Sequence, residues 1–377
     1  MFAVGLARKF DGVVDFELPK PEIQGPKDVL VKVLQAGIDG TDRDMIRRQQ
    51  KDIAEGEEYI VLGHEAVGVV VEVGSKVESL KPGDVVVPTV RRGCNECPSC
   101  LDNQSDMCST GLYKERGIHK LNGYFTEYFV DEEQYLVPVP SGLEHVAVLT
   151  EPLSIAEKAL GQMRYIQSRL PWGCFHPEHN FDQSGWGACK KALVIGAGPI
   201  GFFGAALLRL AEMMTYFIEI VPENSPKVRR MQEMEAHYID GRGITSEALV
   251  KKMGNPDILF EASGVSELAL SLLPAGARNA VYIFTGIPRG ESQVCMDGDL
   301  LIRQMVRNNQ IIIGSINSNR RHFEASLQNM LQIDKRFNHI LDRVITHTYK
   351  LKDYKAALAP NPNALKVVFE MDKIQQE

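Results

Sequence analysis

Four cysteines fall within one short stretch, CNECPSCLDNQSDMC, as Cys94, Cys97, Cys100 and Cys108. Thiolates spaced C-x2-C-x2-C-x7-C can wrap a tetrahedral ion, and four sulfurs leave no coordination position for a substrate. The spacing predicts a structural zinc site. A ferredoxin-type cluster needs a C-x2-C-x2-C-x3-C-P run, which the seven-residue gap followed by Ser109 breaks. A second chemistry is written into ALVIGAGPIGFFGAALL. Gly196 permits a tight turn after an apolar strand, and Gly198 lets a pyrophosphate approach the backbone. Gly201 lets the helix that opens at Pro199 and Ile200 pack closely on the sheet. The helix N-terminus then faces the anion. The next apolar strand, TYFIEI, ends in Glu219, where a carboxylate accepts hydrogen bonds from the adenosine ribose and repels a 2′-phosphate. Ile220, Val221 and Pro222 supply no arginine to reverse that preference, so NAD is favoured, with NADP as the alternative. Two further stretches are ambiguous alone. VLQAGIDGTDRD delivers Asp39, Asp42 and Asp44, which either serve a turn and a helix cap or aim a negative oxygen at a ligand. VLGHEAVG sets His64 beside Glu65, which in isolation reads as a satisfied polar pair at a strand end.

These residues need elements to hold them. Short strands punctuated by Gly and Pro dominate the first 140 residues, among them DVLVKVLQAG at 28–37, VGVVVEV at 67–73 and SLKPGDVVVP at 79–88. They predict a β-barrel-like lobe. EPLSIAEKALGQM then has helical periodicity, with Leu153, Ala156 and Leu160 on one side. From residue 191 the pattern alternates. KALVIG, a Gly/Ala-rich helix from Pro199 to Met213, TYFIEI and a charged helix near 226–235 are followed by the apolar strands DILFEASG, AVYIFTG and QIIIGSI. Such alternation is the mark of a doubly wound parallel sheet. The last sixty residues return to short mixed elements that complete the first lobe. The stretch at 171–190 reads as an ordered surface loop, and its Cys174, His176 and His179 match no standard zinc spacing.

The bulk properties agree with this class. A chain of 377 residues suggests two domains. Its formal charge of −7 argues against a nucleic-acid surface or an anionic membrane as partner. No window is long and apolar enough for a membrane span, and the N-terminus lacks the features of a signal peptide. Seven cysteines, four of them clustered, fit metal binding in a reducing compartment better than a disulfide framework, so the expected location is cytoplasmic.

Taken in order, GHE-x2-G-x5-G at 63–74, KPGD at 81–84, the four-cysteine run and GAGPIG resemble the zinc-dependent medium-chain dehydrogenase/reductase family over essentially the whole chain. The resemblance implies an α/β protein with a GroES-like β-barrel catalytic domain over 1–160, carrying the structural zinc lobe near 91–110. It also implies a Rossmann dinucleotide-binding domain over 161–314 and a return segment over 315–377. In that family a catalytic zinc is held by a cysteine in a C-G-[ST]-D stretch, by the histidine of GHE and by a later cysteine or acid. The cysteine's place here is taken by Asp39 in DGTD, the histidine is His64, its neighbour is Glu65, and the later ligand is Glu151 in LTEPLS. Oxygen thus stands where sulfur is usual, which zinc accepts. Asp42 and Asp44 are left to the turn and helix start. Thr41 takes the family's proton-passing position.

DGTD, PTVRRGC, ERGIHKLNGYFTEYF, EPLSIAEKAL and GSINSNRRHFEA are similar to the archaeal-type glucose 1-dehydrogenases. That branch implies a sugar-binding role for Glu115 and a place near sugar and nicotinamide for Asn317, with His119 as a further polar partner and Glu151 facing the substrate as well as the metal. It also implies hydride transfer from C1 of an aldose to the cofactor. The branch often takes NADP through arginines after the second strand, which this sequence lacks. A polyol, secondary-alcohol or amino-alcohol dehydrogenase shares every motif. An idle nucleotide-binding subunit would need none of Asp39, Thr41, His64 and Glu151. The expected assembly is a homodimer or homotetramer.

Overall fold

The strand Asp28–Ile38 is apolar along most of its length, and Val29, Val31, Val33 and Ala36 are buried. It pairs antiparallel with Glu65–Val73, with Tyr128–Glu132 and with Lys366–Glu370, which makes it the centre of a seven-stranded sheet. The computed structural model describes residues 1–170, 185–288, 290 and 293–371. Cys174, His176 and His179 lie outside the described residues. The strands Ile345–Tyr349 and Lys366–Glu370 pair in parallel and lie at one side of this sheet. Gly37 sits where Glu65 and Lys366 converge. A Cβ there would lie 1.8 Å from the Glu65 carboxylate and 2.9 Å from the Lys366 chain.

A second sheet has six parallel strands in the order 237–240, 214–219, 191–195, 258–261, 281–284, 311–314. Numbered along the chain, that order is 3-2-1-4-5-6, the doubly wound dinucleotide-binding topology. The strand Lys191–Ile195 is central and buried, as its continuous apolar run requires, and the helix Pro199–Leu210 follows it directly.

The described residues divide into two compact units, one made of those within 1–154, 317–331 and 344–377, the other of those within 155–316 and 332–343. The expected boundaries at 160 and 314 therefore move by a few residues. Residues 332–343, expected in the return segment, fall in the second unit instead. The cause is local: Arg336 and Arg343 pair with Glu235 and Glu233 of that unit. Each unit has its own apolar core, around Val31, Phe125 and Phe369 in the first and Leu193, Leu259 and Tyr282 in the second. Among the described residues no helix is long and apolar enough to cross a membrane.

Candidate active site

The ambiguity of the three aspartates resolves at the helix Gly40–Arg48. Asp39 is its N-cap, and its Oδ1 accepts from the Thr41 and Asp42 amides at 2.6 and 3.1 Å. Asp42 returns the favour, its Oδ2 accepting from the Asp39 amide at 3.0 Å, a reciprocal capping box. The other Asp39 oxygen, Oδ2, is left facing His64 Nε2 at 3.6 Å and accepts from Thr41 Oγ1 at 3.3 Å. Asp39 is thus a cap and a candidate ligand at once. Asp44 stays at the surface, paired with Arg47.

Ligand atoms of Asp39, His64 and Glu65 lie within 4.8 Å of one another. Tetrahedral zinc with bonds near 2.0–2.1 Å holds its ligand atoms about 3.4 Å apart, so the Asp39–His64 spacing suits it. The charge balance points the same way. Asp39, Asp42, Glu65 and Glu151 gather around His64 with Lys366 as the buried lysine counter-charge. Burial, then the Asp39 charge, pushes Asp42 up to about 7. Burial, then the charges of Glu65 and Asp39, pushes Glu151 up to about 8. Although burial opposes it, the flanking carboxylates hold His64 well above its usual value. A buried excess of carboxylate around one imidazole is what a divalent cation relieves. Glu151, at the first turn of the helix Thr150–Gln167, is buried and within reach of His64's charge but lies outside the three-residue cluster.

Two participants do not stand out in the sequence. Asp42, assigned to the turn, also accepts from the Gly63 amide at 3.2 Å and faces His64 Nδ1 at 3.9 Å. The Asp-x-x-Asp spacing carried that signal, since it is the capping-box pattern. Lys366, fully buried and paired with Glu65, opens the strand KVVFE, whose next three residues are apolar and buried. A lone lysine in a core strand is a signal too, because an unpaired buried cation is costly.

The four cysteine sulfurs also lie within 4.8 Å of one another, compatible with Zn–S bonds near 2.3 Å. Hydrogen bonds from the Cys100 and Ser109 backbone pull the Cys97 thiol down to about 5, and the Thr110 hydroxyl draws Cys108 to about 7. Burial pushes Cys100 up to about 12.

In the second unit Gly196 has φ +96°, and a Cβ on Gly201 would meet the Gly196 carbonyl at 2.0 Å. A Cβ on Gly198 would meet nothing within 4 Å, so the backbone is open there at the mouth of the helix, beside Pro199 and Ile200. Glu219 ends its strand as expected. Its Oε2 accepts from the Ala197 amide and from Lys227, both at 3.1 Å, and Oε1 accepts from the Ile220 amide at 2.9 Å. Burial opposes the ionised form, but Lys227 leads the groups that hold it below the ordinary carboxylate range. The phosphate turn and the acid are therefore joined through Ala197.

Back in the first unit, Asn317 Nδ2 donates to Glu115 Oε1 at 2.5 Å, so two of the four expected substrate-binding residues meet. His119 does not join them. Its Nδ1 is paired with Asp52 and its ring rests against Tyr113.

Two families match the chain: the alcohol dehydrogenase GroES-like domain over residues 25–141 and the glucose dehydrogenase C-terminus over 144–371. A glucose 1-dehydrogenase of Methanocella arvoryzae is 33% identical over 360 residues, 95% of each chain. One of Haloferax mediterranei is 32% identical over 99% of this chain and 100% of its own. The solved structure of the Haloferax mediterranei glucose dehydrogenase in complex with NADP, zinc and gluconolactone is 31% identical and has a TM-score of 0.87. It covers 99% of this chain and 100% of that one. An alcohol dehydrogenase of Thermotoga maritima, 24% identical over 98% of this chain and 99% of its own, shares the fold with a TM-score of 0.79.

Proposed function

The chain belongs to the zinc-dependent medium-chain dehydrogenase/reductase family, in its glucose dehydrogenase branch, and we propose that it oxidises a glucose-type aldose at C1 to an aldonolactone. The observation that carries this reading is the buried carboxylate excess around His64, with the Glu115–Asn317 pair in the same unit. Bound zinc supplies Lewis acidity toward the anomeric hydroxyl, and the nicotinamide supplies the hydride acceptor. Asp39 and His64 would hold the metal, with Glu65 and Glu151 available to complete its shell. Thr41 Oγ1, held beside Asp39, accepts the anomeric proton as it hands its own on through the cofactor ribose toward solvent. Glu115 accepts from a sugar hydroxyl, Asn317 donates to another oxygen, and His119, oriented by Asp52, serves a further hydroxyl. The four-cysteine site is structural.

For the cofactor the reading is NAD preferred, with NADP accepted. Glu219 favours two ribose hydroxyls, whereas Lys227 beside it softens the repulsion of a 2′-phosphate. The Haloferax relative's complex with NADP supports the second half of that reading. The chain works in a reducing compartment, the cytoplasm, as a homo-oligomer. The edge strand Ile311–Gly314 and the helix Gly298–Asn308 support the assembly, since that helix buries no residue and exposes Leu300, Ile302 and Val306.

An initial-rate panel of aldoses, polyols and simple alcohols with NAD and NADP tests the assignment. An aldose should give the highest kcat/KM. A polyol, secondary alcohol or amino alcohol in first place would move the activity to the sister reading, and no turnover with two bound zinc ions would leave an idle site.

A further inference from the structure

Arg91 and Arg92 form one short strand, so their side chains leave on opposite faces. Arg91 faces Glu115. Its Nε and Nη2 donate to Glu115 Oε1 at 3.0 and 2.8 Å, and its Nη1 donates to the Asp106 carbonyl at 3.0 Å. The guanidinium carbon lies 3.8 Å from the centroid of the Tyr113 ring, which fixes the plane of the fork. Asn317 adds its bond to the same oxygen. Among the described residues every hydrogen bond to the Glu115 side chain lands on Oε1. Oε2 therefore remains an acceptor of known direction on a buried, charge-compensated carboxylate.

Asp106 joins the two arms that reach Glu115. It is buried between Cys100 and Cys108 in the four-cysteine lobe. Its carbonyl receives Arg91, and its Oδ1 accepts from Asn319 Nδ2 at 2.8 Å, two residues beyond Asn317. Asn317 itself has φ +60°, a left-handed conformation that Asn adopts readily, and its Oδ1 accepts from the Ser318 amide at 2.7 Å.

We propose that Arg91, braced on Asp106 of the four-cysteine lobe, is a positioning residue for substrate recognition. It saturates Glu115 Oε1 and so presents Oε2 to one substrate hydroxyl. The lobe thereby sets substrate affinity although its metal site has no open position for the substrate. A hydroxyl donating to a carboxylate makes a charge-assisted bond, strong only when the acceptor is already oriented. The proposal rests on the hydroxylated substrate of the preceding section.

The test is a double-mutant cycle with the holoenzyme: wild type, Arg91→Met, Glu115→Gln and the double variant, with Arg91→Lys as a milder change. Substrate KM and kcat are measured at saturating cofactor on whichever compound the panel ranks first. A failed aldose reading therefore shows in the panel and leaves the cycle measurable. Arg91→Met should raise substrate KM by about 10–100-fold with kcat changed by less than about threefold. In the Glu115→Gln background the same change should add less than about threefold, because Arg91 acts through Glu115. Arg91→Lys should recover only part of the affinity, as a point charge replaces the fork. Asp106→Ala keeps the carbonyl that receives Arg91 and removes the bond to Asn319, so with two zinc ions per chain confirmed it tests the Asn317 arm alone and should raise KM by about 2–10-fold. The rise in Tm that saturating substrate gives the wild type should shrink in the Arg91 variants, while cofactor Kd stays the same. An unchanged KM in Arg91→Met overturns the proposal. So does an equal increment in both backgrounds, or a fall in kcat together with cofactor affinity. If Arg91→Met does not fold, Arg91→Lys takes its place in the cycle, and the same outcomes support or overturn the proposal.

Discussion

Asp39 divides its labour between two oxygens. Oδ1 takes two helix amides, which fixes the carboxylate plane, and Oδ2 is thereby aimed at His64 and Thr41. A candidate ligand oriented by a helix cap needs no further brace, and the same cap sets Thr41 in the first helical turn. Thr41→Ala should lower kcat by roughly 10²–10⁴-fold with cofactor affinity almost unchanged, because it removes a proton-transfer step. Thr41→Ser should keep much of the rate, and an alanine variant near normal speed would mean that the proton leaves by another route. In the second unit, choice of cofactor turns on a pair. Lys227→Met leaves Glu219 unopposed, so kcat/KM with NADP should fall about 5–20-fold while the value with NAD moves little. Glu219→Gln should narrow the gap from the other side. Wild-type enzyme that strongly prefers NADP would show that Glu219 does not face the ribose.

At the scale of elements, the strand Arg91–Arg92 splits two cationic side chains between two buried acids. Arg92 turns toward Asp131, which also pairs with Arg116 at 3.0 Å. Burial alone would raise the Asp131 pKa, but Arg116 and Arg92 hold it below the usual carboxylate range. Removing it strands two buried cations. Asp131→Ala should cost about 3–5 kcal/mol in urea unfolding at neutral pH. The sign of the pH dependence follows from the lowered value. The pair's contribution is complete above the ordinary carboxylate pKa near 4 and fades as pH falls through the folded-state value. The gap between wild type and variant should therefore stay level from pH 8 to 5 and close only in acid. The strands, the phosphate turn and the cysteine cluster were legible because each depends on nearby residues: apolar runs, three glycines, four thiols. The partners of Glu115 and Glu65 were not. Arg91 and Lys366 reach them by pairing of distant strands, which local spacing does not encode, and Asn317 was placed beside Glu115 only by the family resemblance. The fate of His119 was hidden for the same reason, since Asp52 lies 67 residues away.

For the molecule as a whole, the two compact units have separate apolar cores. An edge strand of three isoleucines and a glycine beside an apolar helix face invites a second copy of the chain. Val306→Glu combined with Ile312→Lys should reduce the solution mass by light scattering toward the monomer, and an unchanged mass would place the interface elsewhere. Loss of metal should proceed in two stages. The cluster of Asp39, His64 and Glu65 offers oxygen and one imidazole, a harder and more exchangeable set than four thiolates. A chelator should therefore remove one zinc early, abolishing turnover while the nicotinamide cofactor still binds the second unit with unchanged Kd. The Cys94, Cys97, Cys100 and Cys108 site should release its ion only as the first unit loosens, because metal binding there is coupled to the local fold. Metal analysis and circular dichroism followed together should show one equivalent lost before any change in the spectrum and the second lost with it. One equivalent in fully active enzyme, or simultaneous loss of both, would refute the division into a labile and a structural site.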